Sequence, residues 1–367
     1  MINPKILRTV TIEVSADKLT ERNKTPKCPT PFHALNIATN GGWAPGDLIG
    51  LCGAPNVGKT PLALLFAKEA AKAGHPVVFL STDMTDEQLS AVVLSGESFA
   101  DCPATALSAD DILNLDNNNL PLKHYLKGLT KPYNGHLLLC GTSSWTHMVE
   151  DIPLVLDDFP ADLAGKHPLI FVDYVQKVRS KSTLHGQTEK DTVDNVLPHL
   201  KELATDAQAT VIAVCAIHRD YYDTPMIPLQ GLRNSSNLEY DMDTIMTLQF
   251  YGLSMGKTSL QAKSMKKRNL DLVISKQRFG AVGDKIHFLH IAEYNHFEEY
   301  TEDDALEEKT PNMTDTATRY TGHIDDFLSS DTSPQDVIEI HGSLHAASDV
   351  SDDLDDICTV VSQKNIK

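Results

Sequence analysis

The chain has no apolar run long enough to span a bilayer, and its first residues, Met1-Ile2-Asn3-Pro4-Lys5, lack the apolar core of a secretory signal. Both absences point to a cytoplasmic protein with no membrane partner. Its six cysteines, at 28, 52, 102, 140, 215 and 358, include no C-x-x-C pair, which argues against structural zinc and against a redox dithiol. Several lie inside apolar runs, where a thiol behaves as a small hydrophobe, so a reducing compartment without disulfides is the expectation. Basic residues are in deficit, with a net charge of −18, and the deficit is uneven. Residues 301–367 hold 16 acids against 4 bases, whereas the rest holds 34 against 28. A body this mildly acidic does not wrap nucleic acid non-specifically, although a basic channel formed on assembly remains open to it. Nothing repeats internally.

What is present suits one large α/β domain with appendages: 367 residues, 41% of them hydrophobic. Apolar runs predict strands at Leu48–Cys52, Val77–Ser81, His136–Cys140, Leu169–Asp173, Thr210–Cys215, Thr244–Phe250 and Asp271–Ser275, the last paired with Lys285–Ile291 as a C-terminal hairpin. Helical patterns lie at about 60–73, 86–94, 147–157 and 188–206. This alternation predicts a mostly parallel, twisted sheet with helices on both faces. The polar stretch 95–134 predicts short helices at best. Three regions are expected: an arm at 1–28, a body at 29–300, and an acidic tail at 301–367 whose composition reads as disordered. The tail ends in alternating acids and aliphatics (Ser351 to Ile357), a pattern that suits either docking of a partner or simple solubility.

Residues Gly53-Ala54-Pro55-Asn56-Val57-Gly58-Lys59-Thr60 form a complete G-x-x-x-x-G-K-T phosphate loop between an apolar strand and a helical pattern. Backbone N–H groups of such a loop face phosphate oxygens, Lys59 reaches the β/γ-phosphates, and the Thr60 hydroxyl sits on Mg²⁺. Pro61 falls in the first helical turn, where its missing N–H costs nothing. The alternative is a glycine turn that merely caps a helix. A second Mg²⁺-holding carboxylate is expected at the end of a buried strand, and Asp173 ends Leu169-Ile170-Phe171-Val172. Asp83, after Val77-Val78-Phe79-Leu80-Ser81-Thr82, is the candidate to orient the attacking water. Asp86 and Glu87 instead suit the first turn of the next helix.

Five blocks in order resemble the C-terminal helicase domain of DnaB-type replicative helicases. They are Leu35-Asn36 through Gly46-Asp47-Leu48 into the phosphate loop; Ser81-Thr82-Asp83-Met84 with Glu87-Gln88-Leu89; Asp173-Tyr174-Val175-Gln176; Leu232 to Asp243; and Lys276-Gln277-Arg278-Phe279-Gly280. The resemblance covers residues 30–292. It implies a RecA-like P-loop ATPase core that uses ATP and Mg²⁺, assembles as a homo-oligomeric ring, hexameric by the family pattern, and acts on single-stranded DNA in replication, in a bacterium or a virus-infected cell. It gives Lys276 and Arg278 the role of a basic pair reaching the γ-phosphate held by the neighbouring subunit. It also implies nucleic-acid contacts through Arg233, Asn234 and Ser235, while Lys177 and Arg179 offer a second phosphate-contacting loop or a solvated one.

The chain departs from this pattern in four places. Asp83 stands where the family carries Glu. Ala216 occupies the position of a γ-phosphate-sensing Gln, with His218 two residues on as either a substitute or an exposed loop residue. Ser236 replaces a Gly. About 28 residues ahead of the body cannot form the family's N-terminal collar. The cluster Lys257, Lys263, Lys266, Lys267 and Arg268 reads as an exposed insertion, either a phosphate-contacting rim or simply solvated. Besides a ring-forming motor, the residues admit a RecA-like regulatory ATPase that is not a motor, and a degenerate nucleotide-binding assembly protein.

Overall fold

The computed structural model describes residues 26–116, 119–156, 159, 165–182, 189–232, 237–255 and 258–300. Among the described residues, the nine strands are β1 (Leu48–Gly53), β2 (Val77–Ser81), β3 (Leu137–Cys140), β4 (Leu169–Asp173), β5 (Thr210–Ala216), β6 (Thr244–Phe250), β7 (Lys267–Gln277), β8 (Lys285–Ile291) and β9 (His296–Tyr300). They join in one sheet ordered β3-β2-β4-β5-β1-β6-β7-β8-β9. Neighbours from β3 to β6 run parallel, and the β6–β7, β7–β8 and β8–β9 pairings are antiparallel.

The parallel part is buried on both faces, which is why β1, β2, β4 and β5 carry nearly continuous apolar runs rather than strict alternation. Successive residues still point opposite ways. Leu51, Phe79, Phe171 and Ile212 pack on one face with Leu62 and Phe66 of helix Lys59–Lys72 and Leu89 of helix Asp86–Asp101. Leu48, Val78, Val172 and Val211 pack on the other with Val193, Leu197 and Leu200 of helix Glu189–Asp206. Helix Asp86–Asp101 starts at a capping box, Thr85 with Gln88, and places Asp86 and Glu87 in its first turn, where acids favour the helix dipole.

Strand β9 closes onto helix His33–Ala38, the first among the described residues. Both carboxylate oxygens of Glu299 in β9 accept 2.8 Å hydrogen bonds from the His33 and Ala34 N–H groups, two of the four donors a helix N-terminus leaves open. Nearby, Phe32 packs against Phe288 and Phe66, with ring centroids 4.3 and 5.9 Å away.

Strand placement follows the sequence closely, with three differences. β7 runs from Lys267, four residues before its expected start, because β8 offers pairing as far as Lys267 and β6 as far as Leu270. β9 is absent from the expected strands: its sequence His-Phe-Glu-Glu-Tyr buries only Phe297 fully and draws its pairing from β8. In the polar stretch, helix Asp86–Asp101 runs seven residues past the expected end, and Leu120–Leu129 forms a ten-residue helix that buries Tyr125 and Leu126. At the end of the expected arm, Cys28 is fully buried and pairs with Trp43. The acidic tail lies outside the described residues. Among the described residues no helix is long and apolar enough to cross a membrane.

A buried ion pair ties the phosphate-loop helix to its neighbour. Glu97 lies 2.8 Å from both Lys68 and Lys72, with the Glu97 and Lys68 side chains nearly inaccessible. Burial alone pushes the Glu97 carboxyl upward, but the two ammonium groups outweigh it and hold the group below its ordinary 4.5. A depressed acid stabilises the fold fully above pH 4.5 and loses that contribution as pH falls through the lower folded-state value. Glu97→Ala strands Lys68 without its counter-charge. It is expected to destabilise by about 3 kcal/mol in denaturant unfolding at pH 7, with the deficit relative to wild type shrinking below pH 4.5.

Candidate nucleotide site and a remote basic pair

In the ladder, Gly53 of β1 stands beside Ala216 of β5, and Ser81 of β2 beside Asp173 of β4. The carboxyl ends of the parallel strands therefore form one edge, where open α/β sheets bind ligands. The phosphate loop rises from this edge and turns into helix Lys59–Lys72. Two of its residues take left-handed backbone, Asn56 (φ 63°) and Gly58 (φ 111°). Asn tolerates that conformation and Gly adopts it freely. Gly53 is required by space: a Cβ there would lie 2.6 Å from the Leu248 carbonyl oxygen. Ala54 and Val57 are buried beneath the loop, Pro55 and Asn56 are exposed at its crest, and Pro61 occupies the first helical turn.

Lys59 Nζ donates to the Ala54 carbonyl at 2.9 Å. Burial draws this ammonium below its usual value, against the opposing pull of the Asp173 carboxylate. The Thr60 hydroxyl donates to Asp173 Oδ2 at 2.7 Å. Burial raises the Asp173 carboxyl, with the Thr60 hydrogen bond and the Lys59 charge working the other way. A hydroxyl and a buried carboxylate in contact, beside a lysine resting on a loop carbonyl, are the donor set that a triphosphate with a divalent cation requires. These residues fit such a ligand.

Asp83 lies two residues beyond β2, half-exposed, in an ion pair with Lys177. The carboxylate's hydrogen bond raises the Lys177 ammonium above its usual value, and the same group lies 5.2 Å from the centre of the Tyr174 ring. A candidate water-orienting acid and a candidate nucleic-acid contact are thus one pair. Arg179 is exposed two residues on, its backbone joined to His147 and Val149. Gln176 brackets the backbone of Ala216, accepting from its N–H and donating to its carbonyl at 3.4 Å each. His218 turns toward Asp220, 3.1 Å away, and is half-exposed, as a loop histidine would be.

Lys276 and Arg278 are not brought to this edge. Gly53 aligns with Leu248, and Leu248 with Leu272, whereas Gln277 aligns with Thr244 at the start of β6. Arg278 is six residues beyond Leu272, on the order of 20 Å along the strand at about 3.3 Å per residue. There its guanidinium lies 3.2 Å from Asp243 Oδ1, while Asp243 Oδ2 takes Lys201 at 2.5 Å and the Leu48 N–H at 2.8 Å. Lys276 Nζ donates to the Met242 carbonyl at 2.6 Å and to that of Glu239. Arg233, Asn234 and Ser235 lie outside the described residues.

Arg268, expected in an exposed insertion, instead reaches the phosphate loop. Its guanidinium donates to the carbonyls of Asn56 (3.2 Å), Lys263 (2.8 Å) and Met265 (3.0 Å). No local motif signals this contact; it follows from β7 running antiparallel past β6 to the carboxyl edge. His290, fully buried, stacks on Phe297 at 4.1 Å and faces Gly58 from below. Burial holds its imidazole neutral, down to about 3. Arg268→Ala is expected to weaken binding of a fluorescent ATP analogue about tenfold, the loss of one charge-assisted hydrogen bond that fixes the loop, with little change in thermal unfolding of the ligand-free protein.

The model of the DnaB-like helicase C-terminal domain matches residues 28–299. The replicative DNA helicase DnaB of Leifsonia xyli subsp. xyli is 26% identical over 290 residues, spanning 73% of this chain and 55% of the relative. That of Geobacillus stearothermophilus is 26% identical over 288 residues, spanning 73% and 56%. The chain thus spans about half the length of these curated relatives. Among solved structures, an isolated ATPase domain superposes with a TM-score of 0.63 at 18% identity, covering 80% of this chain and all of that one. A DnaB-like replicative helicase, described with its interactions with primase, superposes at 0.60 and 18% identity, covering 79% and 67%. These likenesses establish the RecA-like ATPase fold, and the match to residues 28–299 makes the chain a member of the DnaB-like helicase C-terminal domain family.

Proposed function

We propose that the chain is the ATP-hydrolysing motor of a helicase or translocase that acts on single-stranded DNA in replication, as a homo-oligomeric ring of the hexameric kind. One observation carries the reading: the phosphate loop and the Lys276/Arg278 pair lie at opposite ends of the same sheet. No side chain spans that distance, so the pair meets a γ-phosphate only when a second subunit presents it.

Each residue then has a task. The loop 53–60 and Lys59 hold the β- and γ-phosphates. Thr60 and Asp173 would hold Mg²⁺, whose charge offsets that developing on the transferred phosphoryl group. Asp83 orients the attacking water. Arg278 of the adjacent subunit, with Lys276 beside it, stabilises the transition-state charge, an effect on the order of 10³–10⁵ in rate. Release from Asp243 precedes that contact. Lys177 links hydrolysis to DNA: a backbone phosphate that captures its ammonium frees Asp83. Arg179 adjoins it on the same exposed loop, and Arg233, Asn234 and Ser235 complete the DNA contacts by the family pattern. Affinity for DNA falls with added salt as phosphate contacts are displaced.

Steady-state ATPase measurements with and without single-stranded DNA test this. Wild type is expected to be stimulated by DNA. Arg278→Ala and Lys59→Ala are expected to lose at least about 10³ of the rate, while Arg278→Ala still binds nucleotide. Lys177→Ala is expected to raise the DNA-free rate and erase the stimulation. A rate indifferent to DNA in wild type favours the regulatory ATPase, for which the backbone-bracketed Ala216 at the sensor position is the supporting observation.

A further inference from the structure

Two exposed apolar patches remain unexplained by the site, and each flanks one half of it. At the remote end, the β7–β8 hairpin tip presents Phe279 and Val282, 86% and 59% exposed, directly after Arg278. At the loop end, Leu260 and Met265 are 77% and 49% exposed. The second patch is fixed to the phosphate loop through Arg268, whose one guanidinium holds the Asn56, Lys263 and Met265 carbonyls together. Side chains of this size exposed next to functional groups mark contact surfaces.

We propose that the Phe279/Val282 tip docks on the Leu260–Met265 rim of a second copy of this chain. The proposal rests on Arg278 acting in trans and adds the contact that aims it. Arg278 of one copy can enter the nucleotide site of another only if the residue after it comes down beside that site, and the apolar rim lies there. The two patches are different surfaces of one chain, so the contact is heterologous and propagates from copy to copy until a ring closes. Phe279 is the anchor: a single aromatic at the centre of such a contact commonly carries much of its energy.

Mass photometry with Mg²⁺-ATP and single-stranded DNA, paired with ATPase rates, tests it. Phe279→Asp and Leu260→Asp are each expected to reduce assembly at least about tenfold, with the Phe279→Asp protomer still binding a fluorescent ATP analogue. Mixing the two variants leaves one intact junction per pair, the Leu260→Asp copy supplying the tip and the Phe279→Asp copy the rim. Dimers without rings, and partial recovery of hydrolysis, are expected. Adding Arg278→Ala to the Leu260→Asp copy should abolish the recovered rate, and adding it to the Phe279→Asp copy should not. Wild-type mass and rate for Phe279→Asp, or no dimers on mixing, overturns the docking contact. Dimers whose recovered rate ignores Arg278→Ala in either copy overturn the trans reading and leave the docking contact standing.

Discussion

The polarity of one sheet governs this molecule. Every parallel strand delivers its carboxyl end to the same edge, so the phosphate loop, Asp173 and Asp83 converge without further design. β7 runs the other way and carries a guanidinium to each end. Arg268 near its start braces the loop crest of its own subunit, and Arg278 just past its finish stands where no phosphate of its own subunit can be. A single antiparallel strand thus places one guanidinium beside the phosphate loop and another at the opposite edge of the sheet.

The core of this arrangement is legible in the residues. Continuous apolar runs such as Leu169–Val172 locate the central strands because burial on both faces leaves little choice of composition. The glycines at 53 and 58 mark the loop because space and left-handed backbone demand them. What the residues do not reveal depends on partners distant in the chain. β9 exists because β8 offers it an edge, and its own residues carry little apolar signal. Arg268 reads as one more cation in a basic cluster, since its meaning comes from the β6–β7 register. The Asp83–Lys177 pair joins residues that read separately as chemistry and as nucleic-acid contact, and periodicity holds no information about such a meeting.

The remote pair is held by the backbone of its own chain. Lys276 and Arg278 grip backbone carbonyls of Glu239, Tyr240 and Met242, at and just after the short helix Asn237–Asp241. That helix follows Arg233, Asn234 and Ser235 in the chain. Burial and the adjacent Arg278 hold the Lys276 ammonium below its usual value.

The clasp between Glu299 and the His33 and Ala34 amides has a topological consequence. It brings two points 266 residues apart in sequence within one hydrogen bond, so the chain of the body is nearly a closed loop. A short covalent bridge across that gap would let the backbone be reopened in a surface connection elsewhere, preserving strand order and register. The architecture is in this sense indifferent to where its polypeptide starts, a latitude that circular rearrangement of the gene could exploit.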